Sequence, residues 1–422
     1  MRRWWFVNIA GLLLVALLSL GPRGEQAAGE EKLCDGHHCP KPDKTLYIWA
    51  GDQARVHPDF LAVIDFDEDS HDYGKVVKTV PLPPPGNIGN EPHHCHLSAD
   101  KNVLGCGGLL SLLRGQPGIF FFDVSRPRSP KFLFATSAPQ SSITDDFLPL
   151  KTGGFLVTQM GSASGGAPGR VAEFDHRLHL VHEWPDNPPP DGFNPHGIDA
   201  RPELNLMVTS DFILPSSSLN SVPGDTVLRG SIRVWDFANR TIVRTITIPG
   251  ALGTMDVKLI PGDPLGRGYT AGMFNGIAYF INPGRGTFKQ AFDFETIAHN
   301  SMPQILALPK SGDRLIAGLF MAGQIVMLDT TKRAKLKQIS LVDIGVGAGP
   351  HVIELTDDEK RLVVTDYFLN EDNFGKIHLE GDHKVHVIKV SHNALTLDSR
   401  FNLDFNTAFA TGPARPHGVA WK

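Results

Sequence analysis

Four histidines recur at the start of similar segments along the chain. Each precedes a short apolar run, a polar turn and a second apolar run, and they are His93, His196, His351 and His417. Neutral imidazole is the commonest metal ligand in proteins and suits copper, iron and zinc. If the segments are repeats arranged in a ring, equivalent positions face one another across its axis. The sequence therefore predicts a metal site built from residues that are distant along the chain.

The segments are copies of one repeating unit. HVIELTDDEKRLVVTDY from His351 aligns with HGIDARPELNLMVTSDF from His196, and each copy has an aspartate fifteen residues after its histidine. Related segments begin at His93, Asp146, Asp256 and Gln304, and a seventh copy is divided between the two ends of the chain. Repeats of about 40–50 residues made of short strands are typical of β-propellers. We predict an all-β, seven-bladed β-propeller that is closed by pairing of the N- and C-terminal strands.

The alignment assigns one equivalent position to every blade. In blade order, one to seven, it holds His417, His93, Asp146, His196, Asp256, Gln304 and His351. All seven side chains are polar, which favours a functional end of the central channel over a purely structural layer.

Specific roles follow from this alignment and the residues beside it. The predicted metal ligands are His93, His94, His196, His351 and His417. The role of His94 is left open, together with those of His96 and His299. Asp146 and Asp256 are the predicted catalytic residues, because a carboxylate beside a metal site can relay protons. Asp146, Asp256, Asp211 and Asp366 are also candidates to accept the second ring N–H of a ligating histidine. The remaining clustered histidines are interpreted as solvated surface, namely His176, His179, His182, His378, His383, His386 and His392.

The composition limits the possible partners. The 40 basic and 45 acidic residues give a net charge of −5, with no basic stripe along the chain. Because nucleic-acid binding depends on such a stripe, we exclude nucleic acid as a partner. A small-molecule substrate is the expected partner, and the oligomeric state stays open.

The N-terminal residues predict export. Two arginines, an apolar run from Trp4 to about Leu20 and small residues near Ala28 are typical of a secretory signal peptide, assigned to residues 1–28. An uncleaved leader is the alternative, and only then would the protein be attached to a membrane. An N-terminal arm (29–44) and the propeller (45–422) follow. We expect a periplasmic or secreted protein.

Export changes the interpretation of the four cysteines. Cys34 and Cys39 lie in the arm, whereas Cys95 and Cys106 fall on consecutive strands of one blade. Disulfides are favoured in an oxidising compartment, although metal-binding or catalytic thiols are the alternative and the pairing stays open. No Cys-x-x-Cys-His motif occurs in the sequence, which excludes covalent c-type haem.

Several segments resemble the selenium-binding protein and methanethiol oxidase family. They include LAVIDFDEDSHDYGKVVKTVPLP, the pair His93–His94, FDVSRPRSPKF, MVTSDF, IRVWDFANRTIVRTI and DDEKRLVVTDY. The resemblance implies a seven-bladed propeller and, for exported bacterial members, a copper-dependent oxidase that converts methanethiol, O₂ and water into formaldehyde, hydrogen sulfide and hydrogen peroxide. It matches His93 and His94 to an adjacent histidine pair of the family and His417 to a C-terminal histidine. Asp145 and Asp146 stand where the family has a histidine-containing segment.

These observations together predict an exported, metal-dependent oxidase that acts on a small thiol such as methanethiol with O₂. Copper is the expected metal and iron is the alternative. One competing hypothesis is a non-haem iron oxygenase with the architecture of carotenoid oxygenases, which also place four histidines on the axis of a propeller. Another is a propeller that binds a metal or a partner without catalysis.

Overall fold

The structure is a computed structural model that describes residues 44–189, 192–219 and 225–422. These residues form six four-stranded antiparallel sheets, one five-stranded sheet and a small two-stranded hairpin. The seven larger sheets are the blades of a β-propeller, so the predicted fold class is confirmed. The predicted signal peptide and all but the last residue of the predicted arm lie outside the described ranges.

Each blade runs from an innermost strand at the hub to an outermost strand at the rim. Blade 1 contains β31 (Ala414–Trp421), β1 (Thr45–Asp52), β2 (Phe60–Asp65) and β3 (Val76–Pro81). Blade 2 contains β4 (Pro92–Leu97), β5 (Val103–Gly108), β6 (Ile119–Asp123) and β7 (Lys131–Thr136). Blade 3 contains β8 (Ser141–Pro149), β9 (Phe155–Ser162), β10 (Arg170–Phe174) and β11 (Leu180–Trp184).

The other four blades continue in chain order. Blade 4 contains β12 (Pro195–Arg201), β13 (Leu206–Ile213), β14 (Leu228–Asp236) and β15 (Thr241–Thr247). Blade 5 contains β16 (Thr254–Leu259), β17 (Gly268–Gly272), β18 (Ile277–Asn282) and β19 (Thr287–Asp293). Blade 6 contains β20 (Pro303–Ala307), β21 (Arg314–Leu319), β22 (Gln324–Asp329) and β23 (Lys337–Asp343). Blade 7 contains β24 (Val352–Leu355), β25 (Arg361–Thr365), β28 (Lys384–Val390) and β29 (Leu395–Leu397), and β30 (Leu403–Asp404) also pairs with β28.

Short elements complete the chain. A hairpin of β26 (Leu369–Asn370) and β27 (His378–Leu379) is inserted between β25 and β28. The 3₁₀ helices are Ser111–Arg114, Pro202–Leu204, Pro215–Ser217, Met273–Asn275 and Phe294–Thr296. Within the described ranges, no helix is long and apolar enough to cross a membrane.

Burial follows the position of a strand within its blade. Every residue of β1 and β2 is buried, because neighbouring blades pack against both faces of these strands, whereas most residues of the rim strand β3 are exposed. Continuous apolar runs therefore mark the inner part of each blade, and alternating runs mark the rim.

The ring closes as the sequence predicts. Strand β31 pairs antiparallel with β1, with Tyr47 opposite Ala420 and Leu46 opposite Trp421. The innermost strand of blade 1 thus comes from the C-terminal part of the chain, while its other strands come from the N-terminal part. Closure of this kind leaves no long unpaired inner strand.

A bulge recurs at the same place in the innermost strands. In blades 2 to 6, the pairing register skips two consecutive residues, which are His93–His94, Asp145–Asp146, His196–Gly197, Met255–Asp256 and Gln304–Ile305. In blade 1 the skipped residue is His417, and in blade 7 His351 directly precedes β24. Bulges re-aim side chains, so this repeated irregularity turns selected residues toward the hub.

A disulfide joins two strands of blade 2. Cys95 and Cys106 lie opposite each other in β4 and β5, and their sulfur atoms are bonded. The other two cysteines, Cys34 and Cys39, lie outside the described residues.

Candidate metal centre

The five predicted ligand histidines meet at the hub of the propeller. His94 Nε2 lies 3.2 Å from His351 Nε2, and the ring centroids of His93 and His417 are 4.2 Å apart. One ring nitrogen from each of these four residues lies within 4.8 Å of the others. His196 lies beside them, with its ring centroid 5.6 Å from that of His94. All five side chains are buried.

Asp145 lies among these imidazoles, although the sequence interpretation gave it no ligand or catalytic role. Its Oδ2 lies 3.2 Å from both His93 Nε2 and His196 Nε2, and its Oδ1 lies 3.3 Å from His94 Nδ1. The side chain is completely buried. We call Asp145 and the five histidines the histidine cage.

The alignment of equivalent positions was wrong by one residue in two blades. The bulges show that Asp145, and not Asp146, occupies the first bulge position in blade 3, and that Met255, and not Asp256, occupies it in blade 5. The sequence does not reveal where a bulge adds a residue, so a one-residue error was undetectable there. The hub set therefore includes one apolar side chain, and the expectation of seven polar residues was wrong.

Asp146 and Asp256 occupy the second bulge position, where each joins neighbouring blades. Asp146 Oδ2 accepts a hydrogen bond from the Ile198 backbone N–H at 3.3 Å, and Asp256 Oδ2 accepts one from the Leu306 backbone N–H at 2.9 Å. Asp146 Oδ1 also lies 2.9 Å from His96 Nε2. Both carboxylates thus hold the innermost strand of the next blade in place. Their catalytic role stays a prediction.

The two other residues left open as ligands lie apart from the histidine cage. His96 contacts Asp146 and is part of the polar layer described below. His299 is fully exposed beside Glu295, with 3.5 Å between His299 Nδ1 and Glu295 Oε2.

The hydrogen-bond acceptors of the cage are not the aspartates that were suggested from the sequence. Asp211 Oδ2 accepts from Arg233 Nε at 2.6 Å, and Asp366 Oδ2 accepts from the backbone N–H of His383. The acceptor at His351 is instead Gln304, whose Oε1 lies 3.1 Å from His351 Nδ1. Because an amide oxygen can only accept, this contact places the proton of His351 on Nδ1 and leaves Nε2 directed at His94.

Hydroxyl groups fix the backbone that carries the cage. Thr158 Oγ1 donates to the carbonyl of His196 and Thr365 Oγ1 donates to that of His417, both at 2.6 Å. In each case the hydroxyl belongs to the second strand of the preceding blade. Gly418 lies so close to His93 that a Cβ atom would be only 2.4 Å from the His93 carbonyl oxygen, so glycine is required there. Neighbouring blades therefore hold the ligands at fixed positions.

Burial keeps most of these imidazoles neutral. It lowers the pKa of His196 to about 4 and holds the pKa of His351 and His417 well below the usual value. At His94 burial also favours the neutral ring, but the adjacent Asp145 carboxylate and its neighbours outweigh it and raise the pKa. The neutral form is the one that binds metal ions.

The two sides of the cage differ in polarity. Phe212 packs on His196 and Phe368 packs on His351, with ring centroids 5.0 and 5.1 Å apart. These two phenylalanines belong to a buried apolar cluster that also contains Met255, Met273, Met302 and Phe320, which we call the apolar roof. On another side, His94 borders a small cavity lined by polar side chains, which we call the polar layer: His96, Asp146, Lys258 and Glu354.

One of the outer histidines was misassigned as solvated surface. His383 is buried, with its Nδ1 3.3 Å from Asn406 Oδ1, because the β26–β27 insertion and the segment after β30 cover it. His182 and His386 are partly buried, while the others, His176, His179, His378 and His392, are exposed.

The cage has the donor chemistry of a transition-metal site. Both ring nitrogens of His93 and of His417 are buried without a hydrogen-bond partner among the described residues. Such groups are costly unless something else binds them. The 3.2 Å between His94 Nε2 and His351 Nε2 is close to the edge of about 3.3 Å expected for two nitrogens bound tetrahedrally to one ion at about 2.0 Å. An all-imidazole group fits copper, iron or zinc better than magnesium or calcium.

Fold and site together define a seven-bladed β-propeller with a buried, imidazole-rich centre at its hub. No protein-family model matches the chain. It is 22% identical over 430 residues to the methanethiol oxidase of Homo sapiens, covering 86% of this chain and 89% of that protein. It is 23% identical to selenium-binding protein 2 of Mus musculus, with the same coverage.

Solved structures show the same fold. A hypothetical selenium-binding protein from Sulfolobus tokodaii superimposes with a TM-score of 0.75 and 17% identity, over 91% of this chain and 94% of that one. A putative 6-phosphogluconolactonase from Bacteroides uniformis gives a TM-score of 0.61 at 12% identity, over 90% of this chain and all of that one. The similarity to a methanethiol oxidase and a selenium-binding protein extends over most of the chain, as the sequence motifs predict.

Proposed function

We propose that this protein is a copper-dependent oxidase that acts on a small thiol, most simply methanethiol, with O₂. The observation that carries the proposal is the group of buried ring nitrogens from His93, His94, His351 and His417 within 4.8 Å of one another. Its relatives over most of the chain are named methanethiol oxidases, which supports a small thiol as the substrate.

The proposed reaction is balanced in atoms and electrons. One methanethiol, one O₂ and one water give one formaldehyde, one hydrogen sulfide and one hydrogen peroxide. The carbon of the thiol loses two electrons and its bond to sulfur, and O₂ gains the two electrons and two protons. Copper, when bound, would supply the redox chemistry that no side chain offers.

The residues around the cage have distinct tasks in this proposal. His351 presents Nε2 because its Nδ1–H donates a hydrogen bond to Gln304 Oε1. The apolar roof over His196 and His351 excludes water and suits a small apolar substrate. On the polar side, Asp146 Oδ1 lies 2.9 Å from His96 Nε2, and this contact supports the proposed role of Asp146 in holding or moving a proton.

Export is part of the same proposal. The disulfide between Cys95 and Cys106 is of the kind that persists in an oxidising compartment. A periplasmic or secreted location follows if residues 1–28 direct secretion, and N-terminal sequencing of the protein recovered from cell fractions tests it. Recovery from the cytoplasm with residues 1–28 intact would contradict export.

The test of the function is metal analysis combined with oxygen consumption. The purified full chain should contain copper, consume O₂ when methanethiol is added, and produce hydrogen sulfide and hydrogen peroxide. Removing the metal should abolish turnover and copper should restore it. His351→Ala and His417→Ala should lose both metal and activity, whereas His299→Ala, at an exposed position far from the cage, should keep both.

The same measurements separate the alternatives. Iron instead of copper, without thiol turnover, would support the oxygenase hypothesis. Tight metal binding with no oxygen consumption on any thiol would support a non-catalytic role. A metal-free protein that turns over methanethiol at the full rate would refute the proposed mechanism.

A further inference from the structure

The cage contains more donors than one cation needs. Five imidazoles and one carboxylate meet at the hub, whereas a copper or zinc ion in a protein takes about four ligands. The two nitrogens of His94 show how these donors are divided. Its Nε2 faces His351 at 3.2 Å, and its Nδ1 faces Asp145 Oδ1 at 3.3 Å. The His94 ring therefore lies between two groups of ligand atoms.

The first group consists of imidazoles alone. It contains His93, His94, His351 and His417, and it is the site proposed for copper. The second group contains His93, Asp145 and His196, whose ligand atoms also lie within 4.8 Å of one another. His93 belongs to both groups, and neither of its ring nitrogens has a hydrogen-bond partner in the described part of the chain.

Asp145 is the strongest sign that the second group binds something. Its side chain is fully buried, and neither carboxylate oxygen has a hydrogen-bond partner among the described residues. Its ion-pair contacts within those residues are with imidazoles, at 3.2 to 3.3 Å. A buried carboxylate without hydrogen bonds costs several kcal/mol unless a cation compensates it.

Two imidazoles present their nitrogens to one oxygen of Asp145. His196 Nε2 and His93 Nε2 both lie 3.2 Å from the same oxygen, Asp145 Oδ2. Two imidazoles and one carboxylate whose ligand atoms lie within 4.8 Å of one another form a three-ligand set. The combination of two histidines and one carboxylate with open positions is typical of divalent iron and of catalytic zinc.

We infer that the cage holds two cations, the second of which is a divalent first-row ion bound by His93, Asp145 and His196. This inference rests on the proposed function for the first, all-imidazole site. Each nitrogen of His93 serves one cation, so the N–H proton of the neutral ring is released to solvent and His93 bridges the two ions as an imidazolate. The negative charge of Asp145 reduces the repulsion between the two ions, and its carboxylate gives the second position a harder donor set than the first.

The test is the number of cations per chain. The purified full chain is stripped with a chelator, saturated with Cu²⁺ and Zn²⁺ separately and together, desalted, and measured by elemental analysis. We expect two cations per chain. Asp145→Asn and His196→Gln should each reduce this to one, because the first removes the negative charge and the second the imidazole of residues that belong to the second group only.

A matched control and a spectroscopic signal complete the design. Glu354→Gln changes a carboxylate of the polar layer, outside both ligand groups, in the same way as Asp145→Asn and should keep two cations. With Cu²⁺ in both positions, the electron paramagnetic resonance signal should be weakened by coupling between the ions. Asp145→Asn should restore the signal of one isolated Cu²⁺. Melting curves establish that each variant is folded.

The outcomes distinguish this inference from the proposed function. One cation per chain at saturation in the unaltered protein would overturn the second site and leave the oxidase proposal intact. Two cations retained in Asp145→Asn would also overturn it. No bound cation at all would overturn both. If Asp145→Asn does not fold, the count in the unaltered protein still decides.

Discussion

Gln304 offers a sharp test of how the propeller prepares its histidines. The change is Gln304→Met, which has a similar volume and removes the acceptor 3.1 Å from His351 Nδ1. Gln304 is fully buried, and its Nε2 has no hydrogen-bond partner among the described residues, so the loss of the amide nitrogen removes nothing else. The variant therefore isolates one hydrogen bond to one ligand.

The expected loss of copper affinity follows from that single hydrogen bond. A neutral buried hydrogen bond contributes about 1 kcal/mol, and the loss of a partner that orients a ligating histidine costs about 10- to 100-fold in metal affinity. The His351 backbone N–H also donates to Thr365 at 2.8 Å, and the ring packs on Phe368, so its position is partly fixed without Gln304. We expect the lower end of the range, about a tenfold loss or about 1.4 kcal/mol.

The assay is competition for copper against a chromophoric chelator of known affinity. Gln304→Glu keeps an acceptor at the same place and should retain the affinity. Gln159→Met is the matched control, because Gln159 is also buried with a Nε2 that has no hydrogen-bond partner among the described residues, but its Oε1 accepts from the Thr144 hydroxyl and not from a histidine. An affinity for Gln304→Met within about twofold of the unaltered protein would refute the argument that Gln304 sets the proton position of His351.

Three further predictions concern stability. Reduction of the disulfide, or replacement of Cys95 and Cys106 by serine, should lower the free energy of unfolding by about 3 kcal/mol, as expected for a closed loop of about a dozen residues. Denaturant unfolding with and without reductant measures this loss, and an unchanged free energy of unfolding would contradict the prediction. Burial raises the pKa of Asp59 to about 7, so this folded carboxyl binds a proton that the unfolded one loses above about 4. The free energy of unfolding should therefore fall as the pH rises from 4 to 7, by up to about 4 kcal/mol. Urea unfolding across that range measures the fall, which should be smaller in Asp59→Asn. Phe368→Ala should lower the free energy of unfolding by about 3 kcal/mol because it leaves a cavity in the apolar roof, whereas Phe368→Leu should lower it much less. Equal losses of the two variants in denaturant titrations would argue against a packing role for Phe368.

The sequence predicts the ring and most of its hub, and the reasons are physical. A repeat of short strands can bury its faces only by stacking on further copies, so the repeated pattern identifies the propeller and brings its equivalent histidines together. His196 and His351 are found in this way, and His94 through the resemblance to a family. The same logic explains the closure by β31, because one strand from the C-terminal part must pair with the three strands of blade 1 from the N-terminal part.

The missed features depend on details that a repeat pattern does not contain. Asp145 and Asp146 are adjacent and chemically identical, and only the bulge decides which of them faces the histidines. The corresponding bulge in blade 5 places Met255 at the hub and turns Asp256 toward the next blade. The contact of Gln304 with His351 depends on a side-chain conformation. A pair of neighbouring carboxylates in a repeat position is the signal that should have kept both candidates open.

The closure of the ring sets the order in which the site is completed. His417 lies on β31, which follows every other strand in the chain, while its partner rings lie on blades formed by much earlier segments. A polypeptide that is still being synthesised, or threaded through a narrow pore, lacks this ring until the segment that contains β31 has emerged. The complete four-imidazole group thus forms only after all seven blades have been made, and an ion bound there would join β31 to the blades that carry the other three rings.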